Sequence, residues 1–114
     1  MACVVTDIEK LVIETTHFKG NFPESVQVDC CCVPSGALDC TDIESVNKID
    51  WSPLLKRTRM AADCTFTFSR SDLENIGDVT HLKVSMFPDG GLSRVRLYGS
   101  AKEQILDIEN SSRL

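Results

Sequence analysis

Arg94 and Arg96, two positions apart, are the residues of this sequence best suited to gripping a small anion. Side chains alternate along a strand, so Leu92, Arg94, Arg96 and Tyr98 share one face and Ser93, Val95 and Leu97 the other. Neighbouring guanidinium groups can hold a carboxylate through bidentate, charge-assisted hydrogen bonds. The same spacing also describes a solvated strand face whose arginines pair weakly with nearby acids. His81 and Lys83 share one side of the preceding segment, and an imidazole near neutral pH can give or take a proton. If the two segments pair in simple register, that polar face lies beside the arginine strand. His17 precedes the turn Lys19-Gly20-Asn21, and binding groups gather on loops at strand ends. A structural role remains open for each histidine, because a lone imidazole does not define a site.

The cysteines Cys3, Cys30, Cys31, Cys32, Cys40 and Cys64 offer less. Three in succession point to alternate sides of a strand and suit a disulfide framework poorly. Met1 to Asp7 shows no basic region or cleavage pattern of a secretion signal, so free thiols and a cytosolic location are expected. A cysteine nucleophile would need His17 or His81 brought close by the fold. There is no C-x-x-C and the two histidines are far apart, so no metal ligand is assigned, and the cofactor is unknown. Asp89-Gly90-Gly91 is followed by neither a helix nor G-K-[ST], which makes it a turn and not a phosphate loop.

The elements that must position these groups read as strands. Period-two alternation dominates, first over Ile8 to Phe18, then over Ser25 to Val33 with Val26 and Val28 on one face, ended by Pro34-Ser35-Gly36. The polar stretch from Ala37 to Asp50 has no period and is expected as a surface loop with one helical turn, after which Trp51 anchors the chain. Cys64 to Phe68 alternates with Phe66 and Phe68 inward, and Ser71-Asp72-Leu73-Glu74 fits a capping box opening a short turn. From Val79 to Tyr98 two alternating runs flank Pro88-Asp89-Gly90-Gly91, which predicts a hairpin of two antiparallel strands. Ala101 to Glu109 is expected as a short terminal helix with a fraying end.

With 114 residues, 42% hydrophobic and 25% charged, the chain fits one folded domain and not a disordered segment. A net charge of -5, with only Lys56, Arg57 and Arg59 grouped among the basic residues, argues against nucleic-acid binding. No apolar run reaches the roughly 20 residues that a membrane helix needs, and no membrane association is expected.

His17-Phe18-Lys19-Gly20-Asn21-Phe22-Pro23-Glu24-Ser25, Trp51 with Leu54-Leu55, Val79-Thr80-His81, and above all Phe87-Pro88-Asp89-Gly90-Gly91 with Ser93-Arg94-Val95-Arg96-Leu97-Tyr98-Gly99 together resemble the allantoicase family, in that order. The first motif resembles the second of the two related modules in such enzymes. The resemblance implies a jelly-roll sandwich of the galactose-binding-like type, here incomplete because the early strands have no counterpart. It divides the chain into a partial module, 1–100, and a tail, 101–114. It further implies conversion of allantoate and water to ureidoglycolate and urea, with Arg94 or Arg96 on the carboxylate, Asn21 and Lys19 among the substrate-binding groups, and His81 or His17 as acid or base. Glu14, Lys56 and Lys83-Val84-Ser85 depart from the family's usual residues. Allantoate is then the expected small-molecule partner, alongside homo-oligomerisation or association with another allantoicase module. A non-catalytic sandwich that kept the scaffold for binding or assembly is the alternative, because one fold hosts many functions.

Overall fold

The computed structural model describes residues 4–34 and 36–101. Six strands follow one another: β1 (Val5–Glu14), β2 (Ser25–Cys31), β3 (Ser52–Arg59), β4 (Thr65–Ser69), β5 (His81–Phe87) and β6 (Arg94–Ala101). A short helix, α1 (Ile43–Lys48), lies between β2 and β3, and a 3-10 turn (Arg70–Asp72) follows β4. The strands form two antiparallel sheets with orders β4-β1-β6 and β3-β2-β5, the β structure expected from the alternation and the sandwich that the resemblance implies. No helix of the described residues is long and apolar enough to cross a membrane.

One core joins the two sheets. In the first sheet Leu11 and Ile13 of β1 lie between Phe68 and Phe66 on β4 and Leu97 and Val95 on β6. In the second, β2 supplies Val26, Val28 and Cys30, and β3 adds Leu54 and Leu55. Leu11, Ile13, Val26, Val28 and Leu54 are fully buried, and each such side chain contributes about 1.5–3 kcal/mol relative to exposure. The central strands are covered best. On the flanking strands Phe66, Phe68, Leu82, Val84, Val95 and Leu97 are only partly buried, and Met86 is 37% exposed.

Several expectations are corrected by the pairing. Val79 to Tyr98 is not a hairpin: β5 pairs with β2 and β6 with β1, so residues 88–93 cross from one sheet to the other. The crossing lets Leu82 and Val84 face the core from one side and Val95 and Leu97 from the other. β1 stops at Glu14, short of Phe18, because Thr15 turns into bonds with the loop before β4. β3 carries no clean alternation because Leu54 and Leu55 are both buried where its pairing with β2 slips register. α1 forms within the polar loop, capped by Asp42, whose Oδ1 accepts from the Glu44 N–H at 3.1 Å. The capping box falls two residues early, with the Asp72 carboxylate accepting from Ser69 N–H and Oγ, both at 3.0 Å. Ala101 ends β6 and does not begin a helix; the rest of the expected terminal helix lies outside the described residues.

Candidate functional site

Three connections meet at one end of the sandwich: 15–24 between β1 and β2, 60–64 between β3 and β4, and 88–93 between β5 and β6. Their joining is dense. Thr15 is fully buried, donates from Oγ1 to Ala61 O at 2.6 Å and accepts at the same oxygen from the Cys64 N–H at 3.0 Å. The His17 N–H reaches Asp63 Oδ1 at 2.8 Å, and the Asp63 N–H returns to Phe18 O at 3.2 Å. Gly91 N–H donates to Asn21 O at 2.9 Å, which ties the Pro88–Gly91 turn to the Lys19–Asn21 turn.

The glycines there serve a steric purpose. At Gly90, φ is +135° and a Cβ would lie 2.5 Å from Pro23 N and 2.6 Å from Phe22 C. At Gly91 a Cβ would run into the Phe18 ring. The two turns can therefore approach this closely only with both side chains missing. The Phe87-Pro88 peptide bond is cis.

Of the residues singled out from sequence, four stand at this end. His17 is exposed, with a backbone φ of 74° held by its bond to Asp63. Lys19 and Asn21 are exposed on the same connection. Arg94 opens β6 directly opposite Glu14, with Nη1 3.9 Å from Glu14 Oε2. That Glu14 carboxylate also accepts from Thr16 Oγ1 at 3.3 Å. With Arg94 half exposed, the pair is loose and solvent-screened.

Arg96 and Tyr98 continue along the outer face of the first sheet, away from the loops, opposite Val12 and Lys10. Arg96 Nη1 donates to the Tyr98 hydroxyl at 3.3 Å, and Lys10 Nζ sits 4.7 Å from the Tyr98 ring centre. The two arginines share a face as alternation requires, but they have separate neighbours.

His81 is not brought to this face. It opens β5 at the opposite end of the sandwich, opposite Cys31 in the second sheet. Its Nδ1 shares a hydrogen bond with Thr80 Oγ1 at 2.9 Å, and partial burial pushes its pKa below the ordinary histidine value. Lys83, two residues on, stacks 5.2 Å from the Trp51 ring centre. The expected neighbourhood of His81 and the arginine strand rested on the hairpin and is lost with it.

Arg57 is a residue that sequence reasoning passed over. Its guanidinium lies 4.1 Å from the Phe87 ring centre, and its Nε donates to the buried Ser25 hydroxyl at 2.7 Å. Its Nη2 is 3.7 Å from Glu24 Oε1. With Arg57 on β3 and its partners at the ends of β2 and β5, only the Glu24-Ser25 motif hints at the cluster, and nothing local to Arg57 does.

The thiols divide as the alternation demands. Cys30 points into the core, where burial together with Cys31 and Asp29 raises its pKa to about 11. Cys31 faces the other way, its pKa raised by burial, and Cys32 is exposed. Among the described residues the cysteines are free, and no group of three or more His, Cys, Asp or Glu side chains is arranged to hold a metal ion.

Comparison with known proteins agrees with the motifs. The family model "Allantoicase repeat" matches residues 2–102. A probable allantoicase of Pseudomonas aeruginosa is 38% identical over 93 residues, covering 82% of this chain and 27% of that protein. One from Photobacterium profundum is 36% identical over 96 residues, covering 84% and 28%. Among solved structures, the allantoicase of Saccharomyces cerevisiae superposes with a TM-score of 0.63 at 28% identity, covering 85% of this chain and 24% of that one. The chain thus spans about a quarter of the length of the relatives it matches.

Proposed function

We infer the function of this chain from the family to which it belongs, the allantoicases: it supplies part of a module that splits allantoate with water into ureidoglycolate and urea. The observation that carries this reading is the convergence of His17, Lys19, Asn21 and Arg94 where three loops are locked together. Groups fixed on loops by a rigid sandwich are well placed to orient a small substrate.

Allantoate carries one carboxylate and two ureido arms on a single carbon. Arg94, held by a loose contact to Glu14, takes the carboxylate, with Lys19 adding positive charge. Asn21 offers its side-chain amide to a ureido arm. As the bond from that carbon to the leaving nitrogen breaks, the nitrogen must gain a proton and the carbon must gain hydroxide from water. His17 is the proton carrier in this arrangement, worth about 100- to 10,000-fold if correctly placed. Arg96 is a second candidate for the carboxylate, one step further along the sheet. His81 lies too far round the sandwich to share the substrate with Arg94 in this chain. Because the chain spans a quarter of its relatives, the remaining contacts are assigned to a second module or partner chain.

The test is urea release by an active allantoicase containing this segment. Arg94→Ala should lower kcat/KM by about 10- to 150-fold, corresponding to about 1.5–3 kcal/mol for a hydrogen bond to a charged group. His17→Ala should depress kcat, whereas on this reading His81→Ala should leave it within about threefold, because His81 opens β5 at the other end of the sandwich from Arg94. Full activity in Arg94→Ala, Arg96→Ala and His17→Ala alike would favour the non-catalytic scaffold.

A further inference from the structure

At the end of the sandwich away from the three loops, a cavity of about 490 Å³ opens between the start of β1 and residues 70–77. Its shape begins with an irregularity in β1. The pairing with β6 slips between Thr6 and Lys10, and within that slip Asp7 takes a φ of 50° and is exposed on the cavity lining. Opposite it stands Arg70, immediately after β4, whose Nε donates to Ile8 O at 2.9 Å.

Arg70 differs from the arginines at the loop end. Arg57 and Arg94 each have a carboxylate within 4 Å, at 3.7 and 3.9 Å. Among the described residues Arg70 has no carboxylate at ion-pair distance, and its side-chain hydrogen bond uses Nε alone. A guanidinium anchored through Nε keeps its forked Nη side for a planar acceptor, and little further ordering is needed on binding. Asp7 likewise has no ion-pair partner among the described residues, while Glu74 on the same rim lies 3.8 Å from Lys56 in a loose, solvent-exposed pair. The lining between them is mixed: Ile8, Leu73 and Ile76 contribute the edge of the core, and Thr6 and Asn75 contribute polar groups.

We propose that this cavity binds a small zwitterion of the α-amino acid type. The carboxylate is held by the Nη groups of Arg70, the ammonium by Asp7, and a short apolar side chain lies against Leu73 and Ile76. A guanidinium and carboxylates on one lining favour a ligand carrying both charges over a simple anion, because either charge alone leaves a protein group unmatched. The volume lies within the roughly 300–1,000 Å³ of small-molecule sites and accommodates an amino acid with water. Allantoate has no cationic group, so the site is independent of the hydrolytic reading.

The experiment is calorimetric titration of the full chain with L-valine, with acetate and methylammonium as half-ligands, combined with hydrogen–deuterium exchange of the valine complex. Valine should bind saturably at about millimolar concentration and slow exchange over residues 5–8 and 70–77. Acetate and methylammonium should each bind at least about tenfold more weakly. Arg70→Gln and Asp7→Asn should each weaken valine by about tenfold or more; asparagine tolerates the positive φ, so the second variant keeps the backbone. The proposal is overturned by an absence of saturable heat, by acetate binding as well as valine, by protection confined to other segments, or by Asp7→Asn binding valine normally.

Discussion

Replacing Thr15 by valine tests whether the three loops are held by the hydrogen bonds described above. Thr15 is completely buried where β1 passes into the 15–24 connection. Its hydroxyl donates to Ala61 O at 2.6 Å and accepts from the Cys64 N–H at 3.0 Å, and its own N–H donates to Cys64 O at 2.8 Å. Valine keeps the shape and the backbone bond but strands two main-chain groups. A buried group left without a partner costs about 1–3 kcal/mol, and both sites are partly buried, so about 2–4 kcal/mol is expected in all. Thr15→Ser retains the hydroxyl and removes one methyl, worth about 0.8 kcal/mol. Against a total stability of about 5–15 kcal/mol the difference is large. Urea denaturation at fixed protein concentration should rank wild type above serine above valine, with unchanged m-values. Hydrogen exchange should show that valine frees the amides of His17, Asp63 and Cys64. A valine variant as stable as the serine variant would mean that apolar packing, and not the hydroxyl, holds the loops.

Three further outcomes are expected. The chain expressed alone should release no urea from allantoate and should elute above its monomer size, since the inward faces of β5 and β6 are half covered and both are edge strands; Met86→Lys should shift the elution toward monomer. A cooperatively melting monomer that turns over allantoate would refute this. His81, with its folded pKa lowered by burial, binds a proton less readily folded than unfolded, so its contribution to stability is present above about pH 6.5 and is lost as pH falls through the folded pKa. Thermal melts of His81→Asn should show a flatter decline below about pH 6.5, and an unchanged slope would exclude His81 as the source. In native protein, iodoacetamide should label the exposed Cys32 and Cys40 first and Cys30 last, because Cys30 is fully buried and its thiol is pushed up to about 11. Labelling of Cys30 at the same rate would contradict the described orientation of β2.

The sequence by itself determined which residues face inward. Alternation is a property of the strand backbone, so Val95 and Leu97 against Arg94 and Arg96, or Cys30 against Cys31, can be read without knowing any partner. The loop-end motif could be read for a related reason: Gly90 and Gly91 stand where a side chain would strike Pro23 or Phe18. Pairing was decided elsewhere. A turn-forming Pro88-Asp89-Gly90-Gly91 suits a hairpin or a crossing between sheets equally, and the choice depends on β1 and β2, far earlier in the chain, claiming β6 and β5 as neighbours. That choice carried His81 away from Arg94 and gathered Arg57, Phe87, Ser25 and Glu24 into one cluster. β3 escaped notice because a register slip buries two adjacent leucines, which erases the alternation that marks a strand. Local chemistry fixes the orientation of each side chain relative to its own strand, whereas the neighbours it meets depend on burying both sheets' apolar faces at once, a property of the whole chain.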